Sequence, residues 1–184
     1  MKYVQPIRDK KSIKIIKTLL KEEYDLKYYL IFVLGINTGL RISDLLHLKV
    51  DDLQDKGHLE LKEKKTGKHN RLLLNKNLQK EIRDYIETKH LEEGDYLFQS
   101  RKGQNQPLMR QTVWRVFHGV CQDIGIDNIG THSLRKTFGY WHYKTYHNVA
   151  LLMILFNHSS PSITLRYIGI TSDEVDSSLE DFML

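Results

Sequence analysis

Cysteine and proline are scarce in this chain, and long apolar runs are missing. Its 184 residues include a single cysteine, Cys121. No intramolecular disulfide can form, and no Cys-rich zinc module can be built. A reduced, cytoplasmic setting is the matching expectation. No apolar run approaches the ~18 residues of a membrane span. The best candidate, residues 28–36, is about half that length. The N-terminal MKYVQPIRDKK lacks the apolar stretch of a secretory signal. There is no HExxH, no Cys/His zinc spacing, no acidic metal cluster and no P-loop. No repeat, low-complexity tract or linker appears, and the three prolines are Pro6, Pro107 and Pro161.

What is present favours one folded domain. Hydrophobic residues make up 40% of the chain and are spread along it, enough for a core and too many for disorder. Lys and Arg total 28 against 23 Asp and Glu, a formal net charge of +5. The charge is unevenly placed. Residues 168–184 hold Asp173, Glu174, Asp176, Glu180 and Asp181 with no Lys or Arg, so this tail carries −5 and residues 1–167 carry +10. A basic body suits a polyanion such as nucleic acid. A soluble domain with a charged surface fits the same numbers.

Hydrophobic spacing predicts helices over residues 9–22, 25–37, 42–47, 77–88, 109–124, 132–145, 149–156, 162–167 and 171–182. Residues 25–37 have a broad apolar face and should be buried, with Gly39 ending the helix. Residues 58–62 and 69–74 alternate as strands around the polar turn EKKTGK, which reads as an antiparallel hairpin with a basic tip. Residues 96–98 read as a short extended piece. The expected class is α+β: mainly helical, with a small antiparallel hairpin or three-stranded sheet.

Four local clusters hold chemistry-bearing side chains. Arg41 and Asp44 lie three apart in TGLRISDL, so one helix face could let Asp44 orient the Arg41 guanidinium. The hairpin tip KKTGK offers lysines to a groove or a phosphate. In THSLRKTF, His132 and Arg135 sit three apart at a helix start, where anions bind well. In NHSSPSITLRYIGI, His158 precedes Tyr167 by nine residues. Taken singly, each cluster reads as ordinary structure: an ion pair, a solvated turn, a capping His, a core aromatic. With nine His and ten Tyr in the chain, residue type alone selects nothing.

The ordered set is far more specific than its parts. TGLRISDL, KKTGK followed by RLLL, HSLRKTF, and NHSS with TLRYIGI together resemble the catalytic domain of the tyrosine recombinases, or phage integrase family. The likeness extends over about residues 8–170. It implies that fold for the chain, with residues 1–170 as catalytic core and 171–184 as a C-terminal helix that docks on a neighbouring protomer or on its own domain.

The resemblance also implies an activity. Tyr167 would attack a DNA phosphodiester and form a 3′-phosphotyrosyl link. Arg41 and Arg135 would clamp the non-bridging oxygens, and His158 would donate to the same phosphate. His132 would act as general acid/base for Tyr167. Lys65, with Lys64 as the alternative, would protonate the leaving 5′-oxygen. Asp44 would support Arg41, and Lys64, Lys68, Arg71 and Lys136 would be further DNA contacts. The chemistry is consistent, because phosphoryl transfer needs positioning and charge stabilisation above all. Two guanidiniums, a lysine and two histidines can supply these with no metal, no ATP and no other cofactor. Double-stranded DNA is the implied partner, with a free monomer assembling into a homo-oligomer, a tetramer, on DNA and no role for membranes. The implied location is the cytoplasm, at the nucleoid, of a bacterium or the host of a phage or mobile element.

Two departures from the family pattern bear on these expectations. Arg41 stands only 40 residues from Met1, so the family's N-terminal core-binding domain is expected to be absent and DNA affinity low. Asn157 stands where the family usually has Gly; Asn enters the left-handed conformation more readily than most residues. A type IB topoisomerase uses similar chemistry and is the nearest enzymatic alternative. A non-cleaving DNA-binding protein of the same fold is the other.

Overall fold

A computed structural model describes residues 4–62, 67 and 69–170, and the statements of structure below concern these. Side-chain caps set many of the helix starts. Helix α1 (Lys10–Glu22) begins behind Asp9 and α2 (Leu26–Thr38) behind Asp25, each carboxylate accepting backbone N–H groups of the first turn. Two single-turn helices follow, α3 (Ile42–Leu45) and α4 (Val50–Leu53). Strands β1 (His58–Lys62) and β2 (His69–Leu73) come next. Helix α5 (Lys76–Lys89) starts behind Asn75, and α6 (Arg110–Asp123) follows Met109. Helices α7 (Thr131–Tyr146), α8 (Val149–Phe156, capped by Asn148) and α9 (Pro161–Ile168, capped by Ser160) complete the order.

Of the two expected sheets, the structure has the hairpin. Strands β1 and β2 pair antiparallel with His58 opposite Leu73 and Lys62 opposite His69, and no third strand joins them among the described residues. The extended piece near Tyr96 pairs elsewhere, as an isolated bridge to Lys49. Residues 95–97 bond the backbone on either side of Lys49: Leu97 N–H donates to the Leu48 carbonyl at 2.8 Å, and Val50 N–H, at the start of α4, donates to the Asp95 carbonyl at 3.0 Å.

Helix α2 runs through the core. Leu30, Ile31, Phe32 and Leu34 are all buried, so this helix is apolar nearly all round. Phe32 meets Phe117 of α6 edge-to-face at 6.0 Å. Gly35 lets α7 come close, since a Cβ there would lie 2.6 Å from Leu134 Cδ1. Gly39 ends α2 in the left-handed conformation, with φ 64°. A second, smaller core forms from Leu152, Phe156 and Ile168 under α8 and α9. Gly139 makes it possible: a Cβ there would lie 2.5 Å from Ile168 Cγ2 and 2.7 Å from Phe156 Cε2. Thus α7 packs on α2 with one face and holds α9 with another. No helix among the described residues is long and apolar enough to cross a membrane.

Candidate active site

The site grows from three chain ends that meet on α7. The first is the end of α2. Leu40 follows the left-handed Gly39, and Arg41 then takes the N-cap position of α3 with extended backbone, φ −67° and ψ 143°. Asp44 lies in the first turn of α3 and is buried; its backbone N–H bonds the Arg41 carbonyl at 2.9 Å. Arg41 and Asp44 are therefore related as N-cap and first turn of α3.

Arg135 is the junction. It is 5% exposed on α7. Its Nη1 donates to the Gly39 carbonyl at 2.5 Å and its Nη2 to the Phe156 carbonyl at 3.1 Å. Both carbonyls belong to helix C-terminal ends, where orphan acceptors and the negative end of the dipole favour a cation. The guanidinium also lies 4.4 Å from the centroid of the Phe156 ring.

The second and third chain ends are the last turn of α8 and the whole of α9. Asn157 closes α8 in the left-handed conformation, φ 56°, as its residue type permits. That turn delivers His158, whose ring meets Phe156 at 5.5 Å and Tyr167 at 5.2 Å, both edge-to-face. His158 Nδ1 lies 3.1 Å from the Thr164 hydroxyl of α9, which fixes the imidazole against the Tyr167 helix. Tyr167 is half-buried and also meets Phe156 edge-to-face at 5.5 Å.

The electrostatics follow from this packing. Burial raises the Tyr167 pKa above its ordinary 10.0, while the charges of Arg135 and Arg41 and a hydrogen bond from Arg135 pull it back down. Burial also lowers the His158 pKa, and the charges of Arg135 and Arg41 push it the same way. Tyr167, His158, Arg135 and Arg41 therefore act on one another through space. The pocket is cationic, and its phenol is neutral at ordinary pH.

The remaining predicted residues fall in different places. His132 is exposed at the second position of α7 and lines a groove with Arg110 and Trp114. Lys136 is not at the surface: it is 8% exposed, with Nζ 5.3 Å from the centroid of the Tyr167 ring. Burial lowers its pKa, and the charge of Arg8 adds to the shift. Arg71 is exposed on β2 and pairs with Glu60 across the hairpin at 3.2 Å. Lys64, Lys65 and Lys68 lie outside the described residues, as does the tail 171–184. Among the described residues, no three His, Cys, Asp or Glu side chains gather in a group that could hold a metal ion.

Sequence reasoning did not find a groove that runs from α3 to the start of α6. Ser43, His47, Lys102, Met109 and Arg110 line it. These residues come from three separate stretches and share no local motif, so only folding brings them together.

A family model described as the phage integrase family matches residues 7–174. This chain belongs to the phage integrase family. Among the family's curated members, a probable integrase/recombinase of Bacillus subtilis (strain 168), YoeC, is 42% identical over 182 residues, spanning 99% of this chain and 98% of that protein. Tyrosine recombinase XerA of Pyrococcus furiosus is 29% identical over 169 residues, 91% of this chain but 58% of its own length. Among solved structures, the XerH site-specific recombinase bound to palindromic difH substrate, a post-cleavage complex, superposes with a TM-score of 0.78 at 18% identity. That match spans 98% of this chain and 53% of the XerH chain. The chain thus spans nearly all of the Bacillus relative and little more than half of the other two. Its fold, mainly helical with one small antiparallel hairpin among the described residues, superposes on that of the XerH recombinase.

Proposed function

We propose that this chain is a site-specific recombinase that cuts and rejoins double-stranded DNA through a covalent link to Tyr167. The Tyr167 oxygen attacks phosphorus as its proton passes to His132. The bond from phosphorus to the 5′-oxygen breaks, and Lys65, with Lys64 as the alternative, supplies the proton to that leaving oxygen. A 3′-phosphotyrosyl link and a free 5′-hydroxyl result. Attack by a 5′-hydroxyl reverses the steps and seals the strand. The phosphodiester energy is kept in the link, so neither ATP nor a metal ion enters the scheme.

One observation carries this reading: Arg135, held by the ends of α2 and α8, lies against the Phe156 ring that also meets Tyr167 and His158, and the charge of Arg41 is felt at both Tyr167 and His158. A phosphate seated there meets two guanidiniums, each able to take two oxygens. Charge stabilisation of that kind is the main requirement of phosphoryl transfer. Asp44, buried beside Arg41, supports the clamp. His158 donates to the same phosphate, and the phosphate's charge raises the histidine's depressed pKa. The exposed Arg71 pair is weak enough to exchange Glu60 for a DNA phosphate.

The same reading includes assembly on DNA. Leu151 and Ile154 of α8, beside the nucleophile helix, and Ile163 on that helix are exposed apolar side chains, with Ile154 at 64% exposure. They suit contact with a second copy. Sedimentation of the protein with duplex should show more than one protomer per DNA, reduced by Ile154→Glu; one protomer per DNA at saturation would contradict assembly.

A pool of randomised duplexes, each nicked beside the position where cleavage would release a short fragment, tests the chemistry. Wild-type protein should be trapped covalently and Tyr167→Phe should not. No adduct from wild type favours the non-cleaving alternative. Adduct formation with supercoil relaxation but no strand exchange favours the topoisomerase-like alternative.

A further inference from the structure

The N-terminal segment crosses α7 and reaches the nucleophile helix. Gln5 N–H donates to the Asn128 carbonyl at 3.0 Å. Ile7 N–H donates to the Thr137 hydroxyl at 2.8 Å, and the Trp141 indole donates to the Ile7 carbonyl at 2.9 Å. Pro6 and Ile7 are buried. The segment is thus fixed to α7 on both sides of Ile7, and Arg8 leaves it from a rigid base.

Arg8 then spans the gap to α9. Its Nη2 donates to the Gly169 carbonyl at 2.5 Å. Gly169 closes α9 in the left-handed conformation, φ 81°, two residues after Tyr167. A Cβ at this position would lie 2.7 Å from Arg8 Nη2 and 3.4 Å from Pro6 Cδ, so glycine also allows the close approach. The same guanidinium lies 5.4 Å from the centroid of the Tyr140 ring on α7. Beside it, Lys136 covers the Tyr167 ring. Helix α9 has only eight residues. A helix that short does not hold itself, so its position depends on what grips its ends and its buried face.

We propose that Arg8 is a positioning residue for the nucleophile. It ties the C-terminal end of α9 to the N-terminal segment and α7, and so holds the Tyr167 ring over Lys136 and beside Arg135. This rests on the reading of Tyr167 as nucleophile. Such a residue acts on the rate at which bound DNA is cleaved, not on how tightly DNA binds.

The test uses the full chain, with the nicked duplex that wild type captures best and the intact form of the same duplex. At saturating DNA, Arg8→Ala should form the covalent adduct about tenfold more slowly, as a displacement of about an ångström would cause. Its Kd for intact duplex should stay within about twofold, since one positioning bond is not a phosphate contact. Arg8→Lys, which keeps one donor for the carbonyl, should recover much of the rate. An unchanged rate in Arg8→Ala would overturn the proposal. So would weaker binding with an unchanged rate at saturation, which would make Arg8 a phosphate contact. Arg8 is exposed, so folding should survive, and the Arg8→Lys comparison keeps the test valid if it is weakened. Failure of the Tyr167 reading looks different: wild type itself would give no adduct that Tyr167→Phe abolishes.

Discussion

His158 shows how one side chain records its surroundings. Burial and the charges of Arg135 and Arg41 hold its pKa below the ordinary 6.5. Below pH 6.5 the unfolded chain takes up a proton that the folded site resists, so acidification through that window costs stability. Above it both states are neutral and the contribution vanishes. His142 is shifted in the same direction by burial. The apparent Tm should therefore fall as pH drops below about 6.5, and His158→Gln should fall less. Equal falls in wild type and variant would remove His158 as a source. At this scale the sequence was legible in part. The order Arg41, Asp44, His132, Arg135, His158, Tyr167 is visible because each motif is local. Arg8 is not, because its partner Gly169 lies 161 residues away. Nor is the burial of Lys136, since HSLRKTF does not say which α7 side chains face α9.

Elements were legible wherever a cap or a glycine marks an end. Asp9, Asp25, Asn75, Asn148 and Ser160 accept backbone N–H groups where helices begin, and Gly39, Gly125 and Gly169 take positive φ where helices end. Helix α4 was not expected, because four residues are too few to show a helical period. Its first residue, Val50, donates its N–H to the Asp95 carbonyl. The contact of α7 with α9 is the element-scale feature that matters most to the site. Gly139 permits it, since a Cβ there meets Ile168 Cγ2 at 2.5 Å. Gly139→Ala should cost about 1–3 kcal/mol of stability, the usual range for overpacking. It should also slow adduct formation, because the displaced element carries Tyr167. Urea unfolding measures the first effect and the nicked-duplex assay the second. Full stability and full rate together would show that this contact is dispensable.

At the scale of the whole molecule, the basic body now has a location for its charge. Arg135 and Lys136, in the N-terminal half of α7, and Arg41, at the start of α3, bring positive charge to Tyr167. Lys102 and Arg110 line the groove that runs away from α3. On the proposed reading, DNA occupies that surface. The charge split was legible from composition alone, but its direction was not, because a net charge has no geometry. Folding supplies that geometry by bringing the end of α2, the end of α8 and all of α9 onto one helix. The central claim is that Tyr167 becomes joined to DNA. Protein trapped on randomised nicked duplexes, digested with protease and nuclease, should yield one peptide bearing a nucleotide remnant, and fragmentation should place that remnant on Tyr167. A remnant on any other residue, or an equal yield of adduct from Tyr167→Phe, would contradict the account.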